Sequence, residues 1–189
     1  MALSAIALCS RALLMIGAAS ISSFDEGTAE AEVAANLFPS VRDALLSTHP
    51  WNFASRAEWL ARLAEAPQAD FQEAFALPDD CLRVLSAGAG PRSQGLRYRI
   101  IGRHLHCDSD QVLLRYVCRV GEDSFPAFFD QVLIARLAAE FCLPLTESTS
   151  RAEFLYRLAG DELRRARLTD AQEQTPDALE DFPLIDVRG

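Results

Sequence analysis

The stretch His49–Ala54, which reads His-Pro-Trp-Asn-Phe-Ala, constrains the fold more than any other part of the chain. Its proline cannot continue a helix, because the ring removes a backbone donor and restricts the preceding residue. Two large aromatic side chains, Trp51 and Phe53, follow directly. We expect both to anchor the core at a helix end, with an acceptor for the indole N–H of Trp51. The alternative is that Trp51 faces a partner subunit.

Two helices are predicted before this stretch from the spacing of their apolar residues. The first covers residues 4–16, with Ser4 as its cap and Gly17 as its C-terminal stop. The second covers residues 28–48 and contains Pro39. Because proline removes one helical hydrogen bond, we expect a kink or a break at that position.

Two further helices are predicted near the C-terminus. One begins at Pro126, carries a wide apolar face and is ended by Pro144. The next is opened by a capping box at Ser150–Glu153 and runs to about Ala171. Gly160 is expected to weaken this last helix in its middle.

The region between the second and third helices, about residues 54–120, is rich in strand signals. Residues 54–66 fit a strand by alternation and a helix by spacing, so both interpretations stay open. Downstream we predict a turn at Pro78–Asp80, strands at 82–87 and 112–120, and a hairpin with strands 96–101 and 104–107 turning at Gly102-Arg103. The predicted fold class is α+β: a bundle of four main helices with a small antiparallel β-region inserted between helices two and three.

The predicted domain organisation is one domain over residues 1–171, followed by a C-terminal tail over residues 172–189. The tail is acidic and interrupted by proline. It ends in an apolar patch with no obvious element of the chain to bury it: Phe182, Leu184, Ile185 and Val187. A patch of this kind makes sense if it orders on a partner.

The charge of the chain excludes some classes of partner. The net charge is −9 and the sequence pI is about 4.8, which argues against a general affinity for DNA or anionic membranes. The charge is uneven, with six arginines against two aspartates from Arg92 to Arg119 and six acids against one arginine from Asp170 to Gly189. Solvated surface charge explains this; the alternative is that the tail or the sheet meets a complementary neighbour.

The N-terminal and cysteine patterns bear on the compartment. Residues 1–20 superficially resemble a signal peptide, but they lack a basic start and Ser10-Arg11 interrupts the apolar run, so we do not expect one. The five cysteines are scattered, odd in number and without a Cys-x-x-Cys spacing. This favours buried free thiols in a reducing compartment.

One cluster carries metal-ligand residue types, His104-x-His106-Cys107. On a strand the two histidines share a face and Cys107 points away, and no third ligand is near in sequence. We therefore prefer hairpin residues on a solvated face over a metal site. Neither a nucleophile elbow nor a phosphate-binding loop is present. We expect no catalysis, no metal and no cofactor; the alternative is a metal-dependent enzyme or regulator using His104 and His106.

Several blocks in a fixed order resemble the tail tubular protein A family of short-tailed phages. The family includes the head-to-tail adaptors of other tailed phages and of gene transfer agents. The blocks are Ala-Leu-Leu-Met-Ile-Gly-Ala at 12–18, Leu-Phe-Pro-Ser-Val-Arg-Asp-Ala-Leu-Leu at 37–46, His49–Ala54, Arg56-Ala57, Leu-Pro-Asp-Asp-Cys-Leu-Arg-Val-Leu at 77–85, and the hairpin with Tyr98 and Gly102. The resemblance covers about residues 3–171.

The resemblance implies a structural role at the head–tail junction of a virion or phage-like particle, with synthesis in a bacterial cytoplasm. Family members form a ring, usually of twelve subunits, which docks under the portal protein and receives the next tail component. The ring extends the channel, so packaged DNA would pass without specific binding and no membrane would be involved. The tail, through Phe182, Leu184, Ile185 and Val187, would bind the portal or a neighbouring subunit. A small monomeric interaction module is a further alternative.

Overall fold

The computed structural model of the chain describes residues 2–65, 67, 70–91 and 93–173. Within those ranges it contains four α-helices and two three-stranded antiparallel sheets. The helices are α1 Ala5–Met15, α2 Ala29–Ser47, α3 Ala127–Thr146 and α4 Thr149–Ala171. The strands are β1 Ser55–Trp59, β2 Glu73–Ala76, β3 Cys81–Gly88, β4 Tyr98–Ile101, β5 His104–Cys107 and β6 Leu113–Cys118. The predicted α+β class is confirmed, with all six strands between α2 and α3.

The first two helices begin where the sequence predicts. The Ser4 hydroxyl accepts a hydrogen bond from the Ala7 amide at 3.2 Å, which satisfies one of the free donors of the first turn. Gly17 follows α1 with a φ of +80°, a conformation that glycine adopts without strain. Helix α2 is continuous through Pro39, so the predicted break is wrong. Since Pro39 and Ala35 are both exposed, water can satisfy the Ala35 carbonyl that proline leaves without a donor.

The junction between α3 and α4 differs from both sequence predictions. Pro144 does not end α3, which continues to Thr146 and closes at Glu147 with a φ of 55°. A proline so close to the end removes only one bond of the last turn. The predicted cap at Ser150 is also wrong, because Ser148 is the N-cap and makes no side-chain capping bond.

Helix α3 lies at the centre of the bundle and packs against α1, α2 and α4. Its fully buried side chains point to several sides of the helix, as expected for one surrounded by partners: Phe129, Leu133, Leu137, Ala138, Phe141 and Cys142. The position of α3 therefore sets the arrangement of the other three helices.

The first sheet has the strand order β1-β6-β3, and β6 pairs antiparallel with both neighbours. Residues 54–66, which fitted either a strand or a helix, contain β1. Four of the five β1 residues are exposed, so pairing with β6 determines this strand and hydrophobic alternation does not. Tyr116 of β6 is buried, and its hydroxyl donates to a carboxylate oxygen of Glu58 at 3.1 Å.

The second sheet has the order β2-β5-β4, and its hairpin turns at Gly102-Arg103 as predicted. The chain crosses directly from the first sheet to the second after β1. The Leu63 amide donates to the Ala74 carbonyl at 2.8 Å, and the Ala76 amide donates to the Ala61 carbonyl at 3.1 Å. Residues 55–63 thus pair with β6 first and with β2 afterwards.

A continuous hydrophobic core includes residues of all four helices and of both sheets. All five cysteines are free thiols, and four of them are buried. Burial raises the pKa of Cys9 to about 12, which keeps this thiol protonated and unreactive. Among the described residues, no helix has the length and apolar character needed to cross a membrane.

Candidate interaction surfaces

The two predicted anchors, Trp51 and Phe53, lie in an aromatic cluster at the N-terminus of α3. Trp51 is 0% exposed, and its indole Nε1 donates to the Leu45 carbonyl at 3.3 Å. Its ring meets that of Phe129 edge to face at 5.3 Å between centroids, and Phe53 meets Phe129 at 5.0 Å. Trp51 therefore packs inside its own chain and presents no surface to a partner.

The same stretch holds the last turn of α4 across 118 residues of sequence. The Asp170 carboxylate, 2% exposed, accepts from the Asn52 amide at 3.0 Å, and the Asn52 side-chain amide donates to the Asp170 carbonyl at 2.7 Å. His49 Nε2 lies 3.3 Å from the same carboxylate. Burial lowers the pKa of His49 in spite of that carboxylate, so the imidazole is neutral at pH 7. No local sequence signal reveals a contact of this range.

A groove of about 420 Å³ lies between α2 and α4, with α3 as its floor. We call it the α2–α4 groove. Its apolar lining comes from all three helices: Leu37, Val41, Leu45, Val132, Ala159 and Leu163. A groove of this size and composition suits an apolar peptide segment or small ligand.

The charges at the rim of the α2–α4 groove pair with one another. Arg136 contacts Glu140 at 2.7 Å, and the Tyr156 hydroxyl donates to Glu140 at 2.8 Å. The Arg136 guanidinium also lies 5.0 Å from the Tyr156 ring centroid. Both charged side chains among the described residues that line the groove are therefore paired.

Gly160 lines this groove, and a Cβ at that position would meet no atom within 4 Å. The sequence pattern indicated only that this glycine weakens α4. Its neighbours Ala159 and Leu163 line the groove beside it. A small residue beside an apolar helical stripe is the signal that could have indicated the groove.

A second apolar surface lies where the end of α1 meets the start of α4. Leu14 is 62% exposed, Met15 is 42% exposed and Phe154 is 59% exposed, around a cleft of about 440 Å³. We call these three residues the α1–α4 patch. Arg151 donates to the Ile16 carbonyl at 3.0 Å and joins the two helices there. A contiguous group of large exposed apolar side chains is typical of a protein interface.

The second sheet also ends in an apolar edge. Strand β4 is the outer strand of its sheet, and Ile100 and Ile101 on it are both exposed. An exposed edge strand can pair with a strand of another chain. The arginines of this region are partly paired with acids, as Arg99 is with Asp70 at 2.7 Å.

The histidines of the predicted hairpin lie side by side on β5. The rings of His104 and His106 are stacked with centroids 6.4 Å apart. Within the described ranges, no group of three or more His, Cys, Asp or Glu side chains is placed to hold a metal ion. The predicted partner-binding residues Phe182, Leu184, Ile185 and Val187 lie outside the described residues.

Asp130 in the first turn of α3 is a buried carboxylate, 7% exposed, and no described group hydrogen-bonds its Oδ1. Burial raises the pKa of Asp130, and the nearby charge of Arg11 opposes the shift. A raised acid pKa in the folded state means that stability falls as pH rises through the interval between the unfolded and folded pKa values. The ionised Asp130 carboxylate therefore lowers the stability of the folded state at neutral pH.

Replacing Asp130 with asparagine is expected to raise the free energy of unfolding by about 1 kcal/mol at pH 7, because it removes a poorly compensated buried charge. The gain should shrink as pH falls, because the wild-type carboxyl, whose pKa is raised by burial, then becomes protonated. Urea unfolding at pH 7 and at pH 4.5 measures both values. An Asp130→Asn protein that is less stable at pH 7 would contradict the prediction.

Comparison with family models matches residues 3–178 to the family described as Tube: Tail tubular protein. No curated protein matches the chain. The matched region contains every helix and strand described above, including both walls of the α2–α4 groove and the α1–α4 patch.

Proposed function

Since this chain belongs to the tail tubular protein family, we propose that it is the subunit of a head-to-tail adaptor ring. The family gives it a structural role in a phage tail and a place in the virion. The finer role proposed here is to join the portal of a tailed phage or gene transfer agent particle to the next tail component. The observation that carries the proposal is the family match over residues 3–178, nearly the whole chain.

A closed ring requires each subunit to present two unlike surfaces that meet by rotation. The α1–α4 patch and the β4 edge are two such surfaces, on different elements of the fold. Both expose large apolar side chains, which favours burial against a neighbouring copy. The resemblance to the family implies a ring of the size that its members usually form, twelve subunits.

The net charge and the C-terminal tail bear on the proposed relations with DNA and with the portal, respectively. A net charge of −9 supports a channel wall that repels packaged DNA and lets it pass without specific binding. The tail residues Phe182, Leu184, Ile185 and Val187 are the proposed portal contact. Their apolar character supports ordering on a partner, at an entropic cost taken from the binding energy.

Replacing Phe154 with aspartate is expected to reduce ring assembly on the portal at least tenfold, because it puts a charge into the centre of the α1–α4 patch. Electron microscopy and mass measurement of the chain mixed with portal protein would count the rings. Since Phe154 is exposed, the thermal unfolding of the isolated chain should change little.

Leu168→Asp is the matched control on the same helix, because Leu168 is also an exposed large apolar residue and does not line the cleft. It should assemble as the wild type does. Normal rings from Phe154→Asp would show that the patch is not a subunit interface. A wild-type chain that forms no ring with any portal under assembly conditions would overturn the proposed function itself.

A further inference from the structure

We propose that the α2–α4 groove binds the C-terminal segment of its own chain, residues 174–189, through Phe182, Leu184, Ile185 and Val187. The groove and the segment are thus the two halves of one intramolecular contact, made by the subunit before it meets a partner. In the proposed adaptor the same apolar residues contact the portal, which would have to displace them from the groove. The inference does not depend on ring formation, and its test uses no portal.

The segment leaves the described fold at one end of the groove. Thr48 lines that end, and Arg167 of α4 donates to the Thr48 carbonyl at 3.2 Å. Helix α4 ends at Ala171, one helical turn beyond Arg167. Asp170 is fixed to Asn52 beside the same end of α2. The position from which the segment departs is therefore set by contacts within the fold.

The lengths of the groove and the segment agree. From Leu37 to Thr48 the wall formed by α2 is about 17 Å long, at 1.5 Å per residue. The six residues 182–187 span at most about 20 Å when extended. Residues 174–181 precede them and can span up to about 26 Å, which is more than a turn back into the groove requires.

The chemistry of the groove and the segment also agrees. Apolar residues of all three helices line the groove, and its two charged lining residues, Arg136 and Glu140, pair with each other. The apolar residues of the segment could therefore be buried there provided that Asp186 faces solvent. Gly160 leaves open space in the wall where a bulky side chain can enter. This contact would cover the apolar lining of the groove.

The acidic part of the segment lies between α4 and the apolar residues. Asp177, Glu180 and Asp181 are the acids of this connection. At the Thr48 end of the groove two guanidinium groups contact the last carbonyls of α2: Arg83 donates to Ser47 at 3.0 Å and Arg167 to Thr48 at 3.2 Å. The Nε of Arg167 is buried and has no hydrogen-bond partner among the described residues. Acids passing this end would meet two guanidinium groups, whose charge the buried Asp170 carboxylate partly offsets.

The test measures binding of a fluorescent peptide with the sequence of residues 174–189 to four full-length proteins. They are the wild type, a tail variant carrying Phe182→Ser and Ile185→Ser, and this tail variant with either Ala44→Arg or Ala35→Arg added. Ala44 lines the groove, and Ala35 is exposed on the opposite side of α2. Thermal unfolding of the two arginine variants tests whether both fold to the same stability.

We expect the tail variant to bind the peptide at least tenfold more tightly than the wild type, whose own tail competes at an effective concentration of the order of millimolar. Adding Ala44→Arg should abolish binding, whereas adding Ala35→Arg should leave it unchanged. Equal affinity for the wild type and the tail variant would overturn the proposal, as would binding that survives Ala44→Arg. A wild-type dimer in light scattering that is lost in the tail variant would assign the tail to a second copy and would also overturn it.

Discussion

Replacing Trp51 with alanine is expected to lower the free energy of unfolding by about 3–5 kcal/mol, the largest effect of any single change considered. The side chain is 0% exposed, and it contacts the rings of Phe53, Phe128 and Phe129. Its removal would leave a large cavity where α2 ends and α3 begins, because the surrounding aromatic rings cannot all close inward. Chemical denaturation followed by circular dichroism measures the loss.

Trp59 provides the matched control, since it is 51% exposed on β1, the outer strand of the first sheet. Trp59→Ala should change the free energy of unfolding by about 0.5 kcal/mol or less. The remaining tryptophan in each variant also reports local structure by its fluorescence. Equal destabilisation by the two substitutions would show that Trp51 is not the anchor of the core.

Replacing Asp170 with alanine is expected to destabilise the chain by about 2–3 kcal/mol, because a buried carboxylate that accepts a backbone hydrogen bond is lost. The Asn52 amide would then lack its acceptor, and the neighbouring His49 would lose its polar contact. The hydrogen bond from the Asn52 side-chain amide to the backbone carbonyl of residue 170 can persist. We therefore expect fraying of the last turn of α4, visible as faster hydrogen exchange after Thr169.

Asp161→Ala on the same helix is the control, since Asp161 is exposed and pairs only with Arg164 three residues on. An exposed pair of this kind contributes about 0.5 kcal/mol or less. A loss from Asp170→Ala no larger than the loss from Asp161→Ala would show that the end of α4 is held by packing alone.

Local features of the chain predicted much of the fold. Ser4 and Gly17 bound the first helix because a capping hydroxyl and a left-handed glycine act within one turn. The hairpin at Gly102 follows from strand alternation and turn chemistry in the same way. The prolines predicted the ends of helices less well, since α2 continues through Pro39 and α3 continues past Pro144. The effect of Pro39 depends on whether water reaches the Ala35 carbonyl, which only the folded exposure decides.

Long-range features of the candidate surfaces were not predictable from one sequence. The contact between Asn52 and Asp170 joins residues 118 apart, and no local pattern relates the two. The α2–α4 groove exists because α2 and α4 both pack on α3, which is a property of three helices together. Leu14 and Phe154 look like ordinary members of apolar helices until the packing leaves them in solvent. The Ser148 cap shows the same limit, since three hydroxyl residues between 148 and 150 compete for one position.

The tie between Asp170 and Asn52 has a mechanical consequence. Tension applied to the chain beyond Glu173 first meets the backbone bonds at the end of α4 and then the two hydrogen bonds that join Asp170 to Asn52. Because Asn52 follows Trp51 directly, these two hydrogen bonds connect the end of α4 to the aromatic cluster of the core, which would take up part of the force. A chain pulled from the end of α4 would therefore transmit the force to its core.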